Sequence, residues 1–203
     1  MSGRQLKTFA WAAVFIAVFL WSAIAPHDYF TWVLEVAPAV IGALLLLVTR
    51  NQFPLTPLLS VLILMHCIVL MVGGHYTYAE VPLFENLWGS ERNNYDKLGH
   101  FFQGFVPALL AREILLRQQV VKPGRWLALF VVSLCLAFSA FYELIEWWVA
   151  LATGENAEAF LGTQGYEWDT QSDMGWALLG AVSCLVCLSK WHNRQLQQLT
   201  LLN

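Results

Sequence analysis

Long apolar runs with few interruptions, rather than a helical period, are the first feature of the chain. Five of them extend from about Thr8 to Ala25, Tyr29 to Thr49, Leu55 to Gly74, Trp126 to Ala152 and Ser172 to Ser189. Each comes near or exceeds the ~20 residues that cross a bilayer as a helix. Glu35 alone interrupts the second run, His66 lies in the third, and Glu143 and Glu146 lie in the fourth of these five. A sixth stretch is weaker, because only the 14 residues Leu98 to Ala111 separate Lys97 from Arg112. To cross, it must reach from about Asp96 to Leu116. The pattern predicts an all-α, polytopic membrane protein: one integral domain over residues 1–203, a bundle of six transmembrane helices at about 8–25, 29–49, 55–74, 96–116, 126–152 and 172–189.

Composition agrees with that architecture. The 203 residues are 58% hydrophobic and 12% charged, against roughly 25% charged in soluble proteins. A formal net charge of −3 points to no nucleic-acid partner. Cys67, Cys135, Cys184 and Cys187 all lie inside apolar runs and read as small hydrophobes. The CxxC spacing of the last two has no second motif or polar flank to make it a metal or redox site. At the N-terminus, Arg4 and Lys7 precede an uncharged run of 19 residues, Thr8 to Pro26. That is long for a cleaved signal sequence and reads as a retained signal anchor.

Charge distribution sets the expected orientation. With the N-terminus cytoplasmic, the inner segments hold Arg4, Lys7, Arg50, Arg112, Arg117, Lys122, Arg125, Lys190 and Arg194, nine of eleven basic residues. Only Arg92 and Lys97 fall outside. The outer loops carry Asp28, Glu80, Glu85, Glu91, Glu155, Glu158, Glu167 and Asp169 instead. The positive-inside rule then places both termini in the cytoplasm. Trp21, Trp32, Trp88, Trp126, Trp147, Trp148, Trp168 and Trp191 fall near the expected interfaces.

Ionisable residues gather at the outer ends of the spans. Asp96 and His100 are i,i+4 on one face of the fourth span, with Gln103 a turn deeper. Ser139, Tyr142, Glu143 and Glu146 approach the outer end of the fifth, the acids roughly 9–14 Å below it at ~1.5 Å per residue. Asp169 and Asp173 open the sixth, and His75 closes the third. Each acid inside a span costs about 2.5–3.5 kcal/mol if unpaired. The solutions are shared protons, pairing with Lys97 or a protonated His100, or a bound divalent metal such as zinc, manganese or iron. Plainer readings stand beside these. Asp96, Asp169 and Asp173 sit where carboxylates cap helices, Lys97 can snorkel, and His75 can be an interfacial residue. Glu35 can meet solvent, and His66 reads as a satisfied intramembrane histidine. Capping cannot reach Glu143 and Glu146.

At these residues the chain resembles the YjdF-type family of bacterial inner-membrane proteins, whose function is unknown. The resemblance rests on Gly74-His75-Tyr76-Thr77-Tyr78-Ala79-Glu80-Val81-Pro82, Tyr95-Asp96-Lys97-Leu98-Gly99-His100-Phe101 and Phe141-Tyr142-Glu143-Leu144-Ile145-Glu146-Trp147-Trp148. It continues through Gly162-Thr163-Gln164-Gly165-Tyr166, Trp168-Asp169 and Asp173-Met174. Over residues 96–181 the chain is also loosely similar to VanZ-like membrane proteins, through Asp96, Lys97, His100, Phe101, Glu146, Asp169, Asp173 and Gly180. It departs from them at Ala177, where they tend to have Asn. These likenesses imply architecture rather than activity.

Three functions are compatible with the residues. One is an enzyme, a hydrolase or transferase that uses an outward-facing intramembrane site on a lipid or cell-envelope precursor. Its catalytic groups would be Glu143, Glu146, Asp96 and His100, and His75, Asp169 and Asp173 would be metal ligands or proton carriers. The others are a cation- or proton-coupled transport or binding protein, and a structural membrane protein whose polar cluster only pins helices. The orientation is directly testable. A reporter fused after Asn203 should report cytoplasm and one inserted near Glu158 the outer compartment; the same side for both would overturn the six-span scheme.

Overall fold

The computed structural model describes residues 3–82, 84, 92–154, 158–161 and 163–200, and among them all regular structure is helical. The helices are α1 (Gly3–Ser22), α2 (Tyr29–Thr49), α3 (Pro57–His75), α4 (Tyr95–Arg117), α5 (Arg125–Thr153), α6 (Glu158–Leu161) and α7 (Asp169–Thr200). Glu85, Trp88, Glu91, Glu155 and Gly162 lie outside the described residues. Five helices, α1, α2, α3, α5 and α7, are long and apolar enough to cross a membrane. Their exposed faces carry Phe9, Ile16, Leu45, Val48, Phe138 and Val186 among many large apolar side chains. A soluble surface rarely shows such continuous apolar area; lipid is the solvent that suits it.

The helix α4 is the exception, because Asp96, Lys97, Arg112, Glu113 and Arg117 break its apolar run. Its 23 residues still measure ~34 Å at about 1.5 Å each. The structure explains how it tolerates them: α4 is the central helix, packed by α3, α5 and α7. Its polar side chains therefore meet protein rather than lipid. One apolar core, built around Leu59, Leu109, Val131, Ala181 and Cys184, joins these four helices. A second, around Val36, Ala39, Cys67 and Met71, fastens α2 and α1 to α3.

Two seams hold α4 in place. Against α7 the backbones nearly touch. A Cβ on Gly104 would overlap the Ala177 carbonyl, and one on Gly180 would overlap the Phe101 carbonyl. Small residues are what allow helices to approach so closely in a membrane. Against α3, the ring of Tyr78 lies over Gly73 and Gly99, where a Cβ would collide with it. Thr77 and Tyr78 adopt left-handed φ values of 51° and 56°. That conformation turns the chain sharply after α3 and drives the Tyr78 ring back into the bundle.

The end of the bundle opposite the Asp96 layer is closed by a polar clamp. Glu113 (0% exposed) accepts from Thr56 Oγ1 at 2.7 Å and from Arg117 at 2.9 Å, and pairs with His192 Nε2 at 2.9 Å. Arg117 also donates to the Pro54 carbonyl, and Arg112 reaches His192 and Asn193. Thr56 caps α3, immediately before Pro57 at the first helical position. The helix α7 continues past the end of its apolar run near Ser189, where His192 and Asn193 are tied to α4 and Gln195 accepts from the Leu58 N–H of α3 at 2.9 Å.

One feature is new to the sequence expectation: the short helix α6 contacts both α5 and α2. Trp32 is half-buried and its indole donates to Ser22 at 3.2 Å; Trp21, Trp126, Trp147, Trp148, Trp168 and Trp191 are exposed. Gly104→Ala and Gly180→Ala should each destabilise by more than the ~1–3 kcal/mol of ordinary overpacking. Gly175→Ala, where an added Cβ meets open space, should leave thermal melting in detergent unchanged. Equal melting of all three would disprove the tight seam.

Candidate functional site: a buried acid and histidine cluster beside an apolar cleft

Four helix ends converge where α3 and α5 finish and α4 and α7 begin. His100 stands at the centre. Its Nε2 faces Asp96 Oδ1 at 3.3 Å and Asp173 Oδ2 at 3.8 Å. Its Nδ1 lies 3.1 Å from Gln103 Oε1 and 4.0 Å from Glu143 Oε1. Because Gln103 Oε1 can only accept, Nδ1 carries the proton in that bond. Asp96, His100, Glu146, Asp169 and Asp173 are each at most 9% exposed, and the Glu143 side chain is 8% exposed. Arg92 bridges Asp96, at 2.9 Å, and Asp169. Among the described residues, two triplets have donor atoms all within 4.8 Å of one another and could hold a metal: Asp96, His100 and Asp173, or His100, Glu143 and Glu146.

Beside this cluster lies a cavity of about 420 Å³. Glu35, Tyr78, Asp96, His100 and Glu146 face it from one side; Ile41, Leu45, Phe138, Phe141 and Ile145 form its apolar walls. Its position follows from packing. The helices α2 and α5 do not pack along their length, so a gap opens between them in front of α3 and α4. The Tyr142 hydroxyl spans it with a 3.3 Å bond to Glu35 Oε2, and Phe160 and Leu161 of α6 line it as well. Pro38 and Pro107 break the backbone ladders of α2 and α4 at the cavity wall. The rim residues Ile41, Leu45, Phe138 and Phe141 are exposed on the lipid-facing surface.

These residues also mark a sequence relationship. The family model described as "Predicted membrane protein (DUF2238)" matches residues 8–194. The chain belongs to this family. Inner membrane protein YjdF of Escherichia coli (strain K12) is 55% identical over 188 residues, 91% of this chain and 90% of that protein. No solved structure is a significant match. The chain is accordingly a multi-pass inner-membrane protein.

Within this family member, six of the seven residues singled out from the sequence adjoin one another: Asp96, His100, Glu143, Glu146, Asp169 and Asp173. Asp169 is the most peripheral, held through Arg92. His75 is not with them. Its Nδ1 is 3.0 Å from the Ser22 carbonyl and its ring lies against Trp21 and Tyr76. It is occupied in fastening α3 to the α1–α2 connection, and His27 pairs there with Glu80 at 2.7 Å. The pairing cation is likewise not Lys97, which donates to Asn94 at 2.7 Å, but Arg92.

Other departures enlarge the site. Glu35 is 6% exposed and faces the cavity rather than solvent. His66 also faces it, and its Nε2 has no hydrogen-bond partner, so it is not satisfied. Burial, with Glu35 alongside, pushes the Tyr78 phenol well above its usual range, which keeps it a neutral donor. Simple signals existed for two groups that the sequence reading left unassigned: Arg92–Asp96 and Glu113–Arg117 are both i,i+4 pairs.

The two polar layers differ in one respect. The Glu113–His192 pair has no unbonded polar side-chain atom, whereas Ser139 Oγ, Glu143 Oε1 and Asp173 Oδ1 are buried without a hydrogen-bond partner. Removing one member of a satisfied buried pair costs about 3–5 kcal/mol. With chelator present, Glu113→Ala should therefore lower stability by roughly that amount. Under the same conditions Asp173→Asn and Glu143→Gln should be neutral or stabilising. Thermal melting in detergent measures both, and a severe loss for Asp173→Asn would make the His100 layer a structural clamp like the other.

Proposed function

We propose that this protein is an intramembrane enzyme, a hydrolase or transferase, that takes a lipid or lipid-linked envelope precursor sideways from the bilayer. The observation that carries the reading is the cleft between α2 and α5, apolar at its lipid-facing rim and lined at its other side by Glu35, Asp96, His100 and Glu146. Apolar walls with a few convergent polar groups are the usual form of a small-molecule site. An acyl or prenyl chain would lie between Ile41, Leu45, Phe138 and Phe141, and the head group would reach the carboxylates. Glu146 is the better general base of the two acids on α5, since it lines the cavity and Glu143 does not. Glu143 sits behind His100, its Oε1 4.0 Å from Nδ1.

The same reading takes α4 as a sixth span, with both termini cytoplasmic and the cluster toward the outer face. Nine of eleven basic residues then lie on the inner side. A role in pinning helices alone is the weaker reading, because a structural layer has no need of buried, unbonded carboxylate oxygens.

Gly42 supplies the test. It lines the cavity, and a Cβ added there meets nothing within 4 Å. Gly42→Trp should fill the cleft without straining the fold. The expected result is unchanged melting with at least an about tenfold fall, ~1.4 kcal/mol, in capture of a photoreactive lipid from vesicles. Undiminished capture by a stable Gly42→Trp protein would remove the lateral-entry reading.

A further inference from the structure

We infer that Asp96, His100 and Asp173 form a binding site for one divalent transition-metal ion. The inference rests on the reading of the His100 layer as a functional site and names the group that site holds. Its first support is the state of the imidazole. Nδ1 donates to Gln103 Oε1 at 3.1 Å, which leaves Nε2 as the coordinating nitrogen. Histidine ligands are commonly held in this way, by a bond from the ring nitrogen that does not bind metal.

The second support is what Nε2 faces. Asp96 Oδ1 and Asp173 Oδ2 lie 3.3 and 3.8 Å away, both longer than the about 2.7–2.9 Å of a charge-assisted hydrogen bond. The lone pair of a neutral Nε2 and two carboxylates repel unless a proton or a metal cation lies between them, and both contacts are longer than a proton-mediated bond would make them. Metal–ligand bonds of about 2.0–2.1 Å at tetrahedral angles set neighbouring donor atoms about 3.3 Å apart. The spacing here fits that arrangement better than it fits direct bonds.

The third support is independent of the histidine. Asp173 is 3% exposed, and its Oδ1 is buried with no hydrogen-bond partner. The desolvation cost of such a group is met by a cation coordinated to the carboxylate. Asp96 offers Oδ1 to the same point while Arg92 holds its Oδ2 at 2.9 Å, leaving one oxygen directed inward. Two carboxylates and a divalent ion sum to no net charge, and Arg92 balances Asp169, which leaves Glu143 and Glu146 as the acids of this layer that need protons. A nitrogen donor with carboxylates favours zinc, manganese or iron(II) over magnesium or calcium. Glu146, outside this donor set, keeps its place on the cavity wall.

The experiment uses full-length protein in detergent, stripped with EDTA, reloaded with Zn²⁺ or Mn²⁺ and washed before elemental analysis and thermal melting. The parent should retain about one equivalent and melt higher after reloading, as ligand linkage requires. Asp173→Asn and His100→Gln should bind at least about tenfold more weakly and show no such shift. Gln103→Leu keeps all three donors but removes the orienting bond, and should weaken the ion by about 10–100-fold. Parent protein that holds no more ion than Asp173→Asn, and whose melting ignores both ions, would overturn the site. Lipid capture measured alongside separates the two proposals. Capture without ion retention overturns the metal site alone, and retention without capture overturns lateral entry alone.

Discussion

The close contact of α4 with α7 is the constraint on which the remainder of the molecule depends. Lipid tails are as apolar as leucine, so two helices in a membrane gain little by merely hiding apolar surface from their surroundings. They gain by fitting. Gly104 against Ala177, and Gly180 against Phe101, let backbone meet backbone. The polar groups at both ends of that contact inherit its geometry. At one end His100 meets Asp173 of α7; at the other Glu113 meets His192 of the same helix. A methyl group inserted in the seam would separate both pairs together.

The same pair of helices thus carries two polar layers with opposite character. Around Glu113 the bonds are short and complete, and the charge density is spent on holding α3, α4 and α7 together. Around His100, five carboxylates share the layer with Arg92, while Lys97 is turned to Asn94. Low dielectric magnifies that imbalance. A layer so arranged is costly unless protons or a cation join it, and it lies beside the cavity between α2 and α5. Fully paired and unmet polar groups therefore sit at opposite ends of one helix pair.

Much of the architecture was legible because lipid imposes simple rules. The run Tyr29–Thr49 coincides with α2, and the depth of each acid follows from counting residues along an apolar helix. Counting gives height but not azimuth. His75 shares the height of His100 yet points to α1, so depth alone assigned it to the wrong neighbours. Glu35 lies at a similar level, and only the helix arrangement reveals that it faces Tyr142 across a gap. Arg92 precedes α4 in an irregular segment, where no period exists to orient a side chain. The apolar run of α7 concealed the helix beyond Ser189, where His192 and Asn193 are tied to α4.

The gap between α2 and α5 has a mechanical consequence. The helices α3, α4 and α7 form a spine, locked at one end by the Glu113 clamp and along its length by the glycine seam. The helices α2 and α5 are leaves attached to opposite sides of that spine, bridged by the Tyr142–Glu35 bond and by α6. Widening the gap would break the Tyr142–Glu35 bond of 3.3 Å and the contacts that α6 makes with both helices, while deforming the spine requires dismantling a packed core. The less costly distortion of this molecule is therefore a directional one, tangential to the spine rather than through it.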